Sequence, residues 1–110
     1  MDKEELEEKL KRASEIKFTN HSLFQMKARH IPKDTIVEFV RNERPFDFTI
    51  EKDPRGKKYT IGYRISNSRD QYITLKFKNE DIYIITAIIS SKKVIDKIRK
   101  RLGRWRKKRM

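Results

Sequence analysis

The chain has no cysteine, only three glycines and only two histidines. The first absence removes disulfides, thiolate zinc sites and cysteine nucleophiles together. His21 and His30 alone leave little from which to build a metal site, and no glycine-rich phosphate loop, acidic metal cluster or Ser-His-Asp arrangement is readable. No apolar run approaches the roughly 20 residues of a membrane-spanning helix, and the acidic N-terminus is not that of a signal peptide. These absences point to a cytoplasmic domain with no cofactor and no membrane-spanning segment. At 110 residues there is room for one core, and a thin one, because 41% of the residues are charged and 35% hydrophobic. Aromatic and β-branched residues nevertheless cluster in short periodic runs, which argues against disorder.

Positive charge is what the sequence has in excess, +13 in all, and it is unevenly spread. Residues 1–15 are net −2, residues 16–91 net +5, and residues 92–110, with eleven basic and one acidic side chain, net +10. A high charged fraction alone fits a thermophile-like surface. A tenfold excess within the last nineteen residues calls for a polyanionic partner instead, with nucleic acid first and an anionic membrane surface second.

Hydrophobic periodicity divides the chain into an N-terminal acidic helix (1–15), an α+β body (16–90) and a basic C-terminal helix and tail (91–110), together one globular unit. The first helix has only Leu6, Leu10 and Ala13 on its apolar stripe, and residues 16–19 break it. Thr19 or Asn20 caps a second helix reaching Arg29, with Leu23, Phe24 and Met26 as its buried contacts. Pro32 opens a third helix, which buries Ile36, Val37 and Val40 and ends near Asn42. From Phe46 the period becomes two. Four strands follow, carrying Phe46, Phe48 and Ile50; Tyr59, Ile61, Tyr63 and Ile65; Ile73, Leu75 and Phe77; and the run from Ile82 to Ile89. The expected fold is N-terminal helices packed on a four-stranded antiparallel meander, closed by a basic helix whose stripe of Ile95, Ile98, Leu102 and Trp105 covers Ile84 and Ile88.

Matching the apolar faces sets the registers, since a one-residue slip turns every side chain over. Ile50 pairs with Tyr59 and Phe48 with Ile61 across the turn at Asp53 to Gly56. In the second hairpin Ile61 pairs with Phe77 and Ile73 with Tyr63 or Ile65, which requires an odd loop near Ser68 to Asp70, and the simplest such register sets Arg64 opposite Thr74. A three-residue loop at Asn79 to Asp81 sets Thr74 opposite Thr86. The result is a polar row, Arg64–Thr74–Thr86, on the face turned from the helices, with Lys58, Thr60, Tyr72, Lys76 and Lys78 around it. Tyr63, Leu75 and Ile85 are assigned to the core.

The segment FTNHSLFQMKARHIP resembles the opening of a family of small toxin-like domains, through His21, Met26, Arg29, Ile31 and Pro32. The basic hairpins and the run YIITAI at 83–88 resemble its closing strands. That family is similar to the RelE- and BrnT-type toxins. The resemblance implies a RelE-like fold and metal-independent cleavage of RNA, free or as ribosome-bound message, with an acidic antitoxin as protein partner. In such a reaction the ribose 2′-hydroxyl attacks the adjacent phosphate, while side chains move protons and stabilise the charged transition state.

Each site residue has a chemical and a structural reading. His21, near a helix start, is a proton-transfer group or a capping and packing histidine. Arg29 binds phosphate or forms a salt bridge with Glu38, Glu43 or Asp47. Arg64 is a transition-state cation, Tyr72 a stacking or proton-transfer group and Thr86 a hydroxyl in an isoleucine-rich strand; alternatively all three belong to an ordinary solvent-facing sheet. His30 reads as structural. Lys58, Lys76 and Lys78 on the sheet and Lys97, Arg101 and Arg104 on the tail are the candidate phosphate contacts, with Trp105 either stacking on a base or completing the core. A different functional class remains open, that of a non-catalytic nucleic-acid-binding protein of a mobile element or virus.

Overall fold

The structure, a computed structural model, describes residues 2–91. Helix α1 (Lys3–Arg12) starts where the Asp2 carboxylate accepts the Glu5 N–H at 2.9 Å, with Glu4 and Glu5 in its first turn and Lys9, Lys11 and Arg12 in its last. Both charge placements complement the helix dipole. Leu6 and Leu10 are its two fully buried side chains, each worth about 1.5–3 kcal/mol of burial. Arg41, from a later helix, donates to the carbonyls of Lys11 at 3.0 Å and Ala13 at 2.6 Å, satisfying acceptors that the end of α1 leaves open.

Residues 16–19 are more than a break. Ile16–Phe18 form a short strand, β1, running parallel to the last strand of the sheet, with Ile16 opposite Ile82 and Phe18 opposite Ile84. Thr19 then caps α2 (Asn20–Ala28), accepting the Ser22 N–H at 3.1 Å. Helix α2 ends in a Schellman motif. The Ile31 N–H donates to the Met26 carbonyl, the His30 N–H to the Lys27 carbonyl, and His30 takes the left-handed conformation at φ 57°. Ile31 and Met26, the apolar pair that accompanies this motif, both lie in the core. His30, read from the sequence as structural, thus supplies the left-handed residue of this turn. Pro32 is the N-cap of α3 (Lys33–Asn42) rather than its first residue, and Ile36 and Val40 are buried.

Four longer strands follow: β2 (Asp47–Asp53), β3 (Gly56–Arg64), β4 (Arg69–Lys78) and β5 (Asp81–Ser91). The sheet has five strands in the order β1-β5-β4-β3-β2, antiparallel except for β1 against β5. The α+β class and the helical backing agree with the sequence reading, whereas the four-stranded meander is corrected to a five-stranded mixed sheet. Leu6, Leu10, Met26, Ile36 and Val40 from the helices meet Ile61, Tyr63, Ile73, Leu75, Ile82 and Ile84 from the inner sheet face. The expected C-terminal basic helix lies outside the described residues.

The first hairpin has the expected register, Ile50 with Tyr59 and Phe48 with Ile61. Gly56 turns it at φ 127°, a conformation other residues rarely adopt. The second hairpin does not. Ile61 pairs with Ile73 instead of Phe77, and Arg64 faces Asp70 instead of Thr74, because residues 65–68 form an exposed loop rather than extending the strand. This shift moves each pairing by an even number of residues, so the faces survive while the partners change.

The third hairpin reaches the expected Thr74–Thr86 pairing by another route. Lys78 faces Asp81, so the turn holds two residues, Asn79 and Glu80, with Asn79 at φ 59°. The missing residue reappears as a bulge, because Thr74 faces Thr86 while Leu75 faces Ile84 and leaves Ile85 unpaired. The bulge inverts parity in the first half of β5. Ile84 is fully buried in the core, and Ile85, assigned to the core from alternation, lines the outer face. Phe24 is a further correction. It is 75% exposed, and Ser22 and Met26 carry the buried side of α2.

Candidate nucleic-acid interface

The outer face of the sheet is built in rows by the observed registers. At one end lie Lys58, Lys76 and Lys78, beside the turns. Thr60, Thr74 and Thr86 cross the middle, with the Thr60 and Thr74 hydroxyls 3.0 Å apart. Gly62, Tyr72 and Ile88 form the next row, and Arg64, Asp70 and Ser90 the last.

At the lysine end an open groove of about 850 Å³ crosses the sheet from Thr19, just after β1, to Pro54 and Arg55 in the β2–β3 turn. Arg55, Lys58, Lys76 and Lys78 line it, together with the Tyr83 ring and Ile85. Among the described residues that line it, none is acidic. Lys76 and Lys78 form no ion pair among the described residues, so their charge is directed at solvent. Lys17, at the neighbouring edge, differs. Its ammonium sits 3.3 Å from Asp81 and 3.7 Å from Glu15, with the ammonium over the Tyr83 ring. Hydrogen bonding to Asp81 foremost, with help from Tyr83, raises its pKa above the usual lysine value. Lys17 is thus a neutralised cation, whereas Lys76 and Lys78 are not.

The other end of the face is aromatic. Phe46 and Tyr72 meet edge to face at 6.2 Å over Gly62. A Cβ on Gly62 would stand 2.9 Å from Phe46 Cζ and 3.1 Å from Tyr72 Cε1, so the absent side chain is what lets both rings lie on the strand. The Arg64 guanidinium lies 5.2 Å from the Phe46 ring centre, and its Nε is 3.7 Å from Asp70 Oδ1.

The residues singled out in the sequence are therefore dispersed. Arg64, Tyr72 and Thr86 share a face, but Arg64 faces Asp70 and Thr86 faces Thr74, in separate rows. His21 is exposed in the first turn of α2, two residues after groove-lining Thr19, and does not itself line the groove. Arg29 caps α2 and donates to the Ala87 carbonyl at 2.8 Å and to Gln25 Oε1 at 3.3 Å. Among the described residues it makes no salt bridge to Glu38, Glu43 or Asp47; its guanidinium is engaged by the edge of β5 beyond β1 instead. Lys97, Arg101 and Arg104 lie outside the described residues. Three residues of the face carry no sequence signal for it. Arg55 reads only as a turn residue, the bulge reverses the side that strict alternation with Ile85 gives Tyr83, and Phe46 shares the period of Phe48 and Ile50.

Among the described residues no group of histidine and carboxylate side chains is placed to hold a metal ion. No described helix is long and apolar enough to cross a membrane. No protein-family model, no curated protein and no solved structure matches the chain.

Proposed function

We propose that this protein binds nucleic acid, RNA foremost, through the phosphate backbone on the outer face of its sheet. The observation that carries the reading is the groove of about 850 Å³ lined by Arg55, Lys58, Lys76 and Lys78, with no acidic residue among its described lining. Cations on adjacent strands, with threonine hydroxyls beside them, suit a chain of phosphates better than a single small anion. The net +10 of residues 92–110 adds long-range attraction of the same sign. The test is the salt dependence of oligonucleotide binding by the full chain and by a Lys58→Gln, Lys76→Gln, Lys78→Gln variant. Loss of three phosphate contacts lowers the magnitude of the log–log salt slope by about 2 for a single strand. An unchanged slope and affinity would move the contact away from this face.

A second reading, metal-independent RNA cleavage of the RelE/BrnT type, is favoured by one observation. The Tyr83 hydroxyl belongs to a side chain that lines the same groove as three lysines. A phenol for proton transfer and cations for the developing phosphorane charge are what attack by the 2′-hydroxyl requires. Incubation of RNA and of the matching DNA with the protein in chelator separates the two readings. Cleavage of RNA alone, leaving a 2′,3′-cyclic phosphate, supports the enzyme; binding of both without cleavage supports the binding protein.

A further inference from the structure

At the aromatic end of the outer face, the guanidinium of Arg64 lies over Phe46, and Phe46 meets Tyr72 above Gly62. Structural need explains part of this arrangement, since a ring over a strand glycine restores the packing that the missing side chain forfeits. It does not explain why an arginine covers the ring while 66% of its own side chain stays exposed, nor why Ile88, opposite Tyr72, is left 41% exposed.

Asp70 lies 3.7 Å from Arg64 Nε and offsets its charge, which weakens Arg64 as a phosphate ligand. The planar faces of the guanidinium are untouched by that pairing. The guanidinium carbon lies 5.2 Å from the Phe46 ring centre, and the 66% of the side chain that stays exposed leaves a planar group within reach of a second π-system. The cluster sits on the same face as the cationic groove. Tyr72 is four residues from Lys76 along β4, about 13 Å at the usual strand rise. A nucleic-acid strand whose phosphates occupy the groove and which follows β4 therefore meets this plate within a few nucleotides.

We propose that Arg64, Phe46 and Tyr72 form a stacking subsite for an unpaired nucleobase, which makes the ligand of the outer face single-stranded. This rests on the reading of the groove as a phosphate-binding surface. A duplex keeps its bases stacked on one another and has no free face to offer the plate, whereas a single strand can splay a base onto it. Arg64 is assigned a binding role here, distinct from transition-state stabilisation.

The test uses the full chain and three probes: a twelve-nucleotide single-stranded RNA, a duplex of the same length, and inorganic polyphosphate of matched charge. Two variants accompany it. Arg64→Lys keeps the charge and removes the plane, and Phe46→Leu removes the ring beneath. The expected result is that both variants weaken single-strand binding by roughly five- to a hundredfold, the range of one lost stack, and leave duplex and polyphosphate binding unchanged. Retained polyphosphate binding also shows that each variant is folded. Equal affinity of the unaltered protein for the single strand and for polyphosphate, or an equal loss on all three probes, overturns the stacking subsite while leaving the groove in place. Failure of every probe to bind overturns both.

Discussion

The guanidinium of Arg29 donates to the backbone carbonyl of Ala87 at 2.8 Å, fastening the end of α2 to β5 beyond the point where the short strand β1 stops. The bond occupies an acceptor on a sheet edge that β1 is too short to cover. Arg29→Ala is expected to destabilise the fold by about 1 kcal/mol, the net worth of a hydrogen bond at a part-exposed site. Urea denaturation measures this, and oligonucleotide affinity at a temperature where both proteins are folded should stay the same. A selective loss of affinity with unchanged stability would return Arg29 to the phosphate site.

His30 holds a left-handed conformation at φ 57° in the Schellman turn after α2. Glycine adopts that geometry without the Cβ penalty of about 1–2 kcal/mol. His30→Gly should therefore raise the thermal midpoint and leave nucleic-acid binding and any RNA cleavage intact. A fall in activity without a fall in stability would give His30 a chemical role.

Gly62→Ala acts on the outer face alone. The added Cβ meets Phe46 at 2.9 Å and Tyr72 at 3.1 Å, so the rings must move and the Arg64 stack moves with them. The expected cost is about 1–3 kcal/mol, as for overpacking elsewhere. Altered ring-proton shifts of Phe46 and Tyr72, with the inner-face signals of Ile61 and Ile73 unchanged, would locate the strain.

Tyr63 is expected to make stability fall at alkaline pH. Burial first, and the Glu7 carboxylate second, push the phenol above its ordinary value. Its hydroxyl and Glu7 Oε1 are both buried without a hydrogen-bond partner among the described residues. Because the folded state holds this proton more tightly than the unfolded chain, the contribution is complete below the unfolded tyrosine pKa near 10. It is lost as pH rises from there toward the higher folded value. Tyr63→Phe should flatten the stability–pH curve above about pH 10 and be neutral or stabilising at pH 7, since it removes an unpaired buried hydroxyl. An identical alkaline slope in the variant would assign the effect to other groups.

The sequence carried those parts of the fold that follow from local chemistry. Leu6 and Leu10, the Thr19 cap, Ile36 and Val40, and the first hairpin around Gly56 were all legible because short-range periodicity and turn residues determine them. Three features were not. β1 has only three residues, and its partner lies more than sixty residues away, so nothing local marks it as a strand. The exposed loop at 65–68 contains Ile65, whose hydrophobicity mimics another strand residue. The bulge at Ile85 exchanges one extra loop residue for one extra strand residue, and alternation alone cannot separate the two. The site inherited these errors. The row through Thr74 and Thr86 was legible, while the partner of Arg64 and the outward placement of Tyr83 depended on the loop and the bulge.

The measurement closest to the central claim is a residue-resolved NMR titration of the full chain with a short single-stranded RNA at low salt. Shifts should concentrate on the outer face, at Lys58, Thr60, Thr74, Lys76 and Tyr83, and extend to Tyr72 and Arg64, while Leu6, Leu10, Ile36 and Val40 beneath the sheet stay still. Shifts confined to the helices, or to residues 92–110 with the outer face unmoved, would contradict a nucleic-acid site on the sheet.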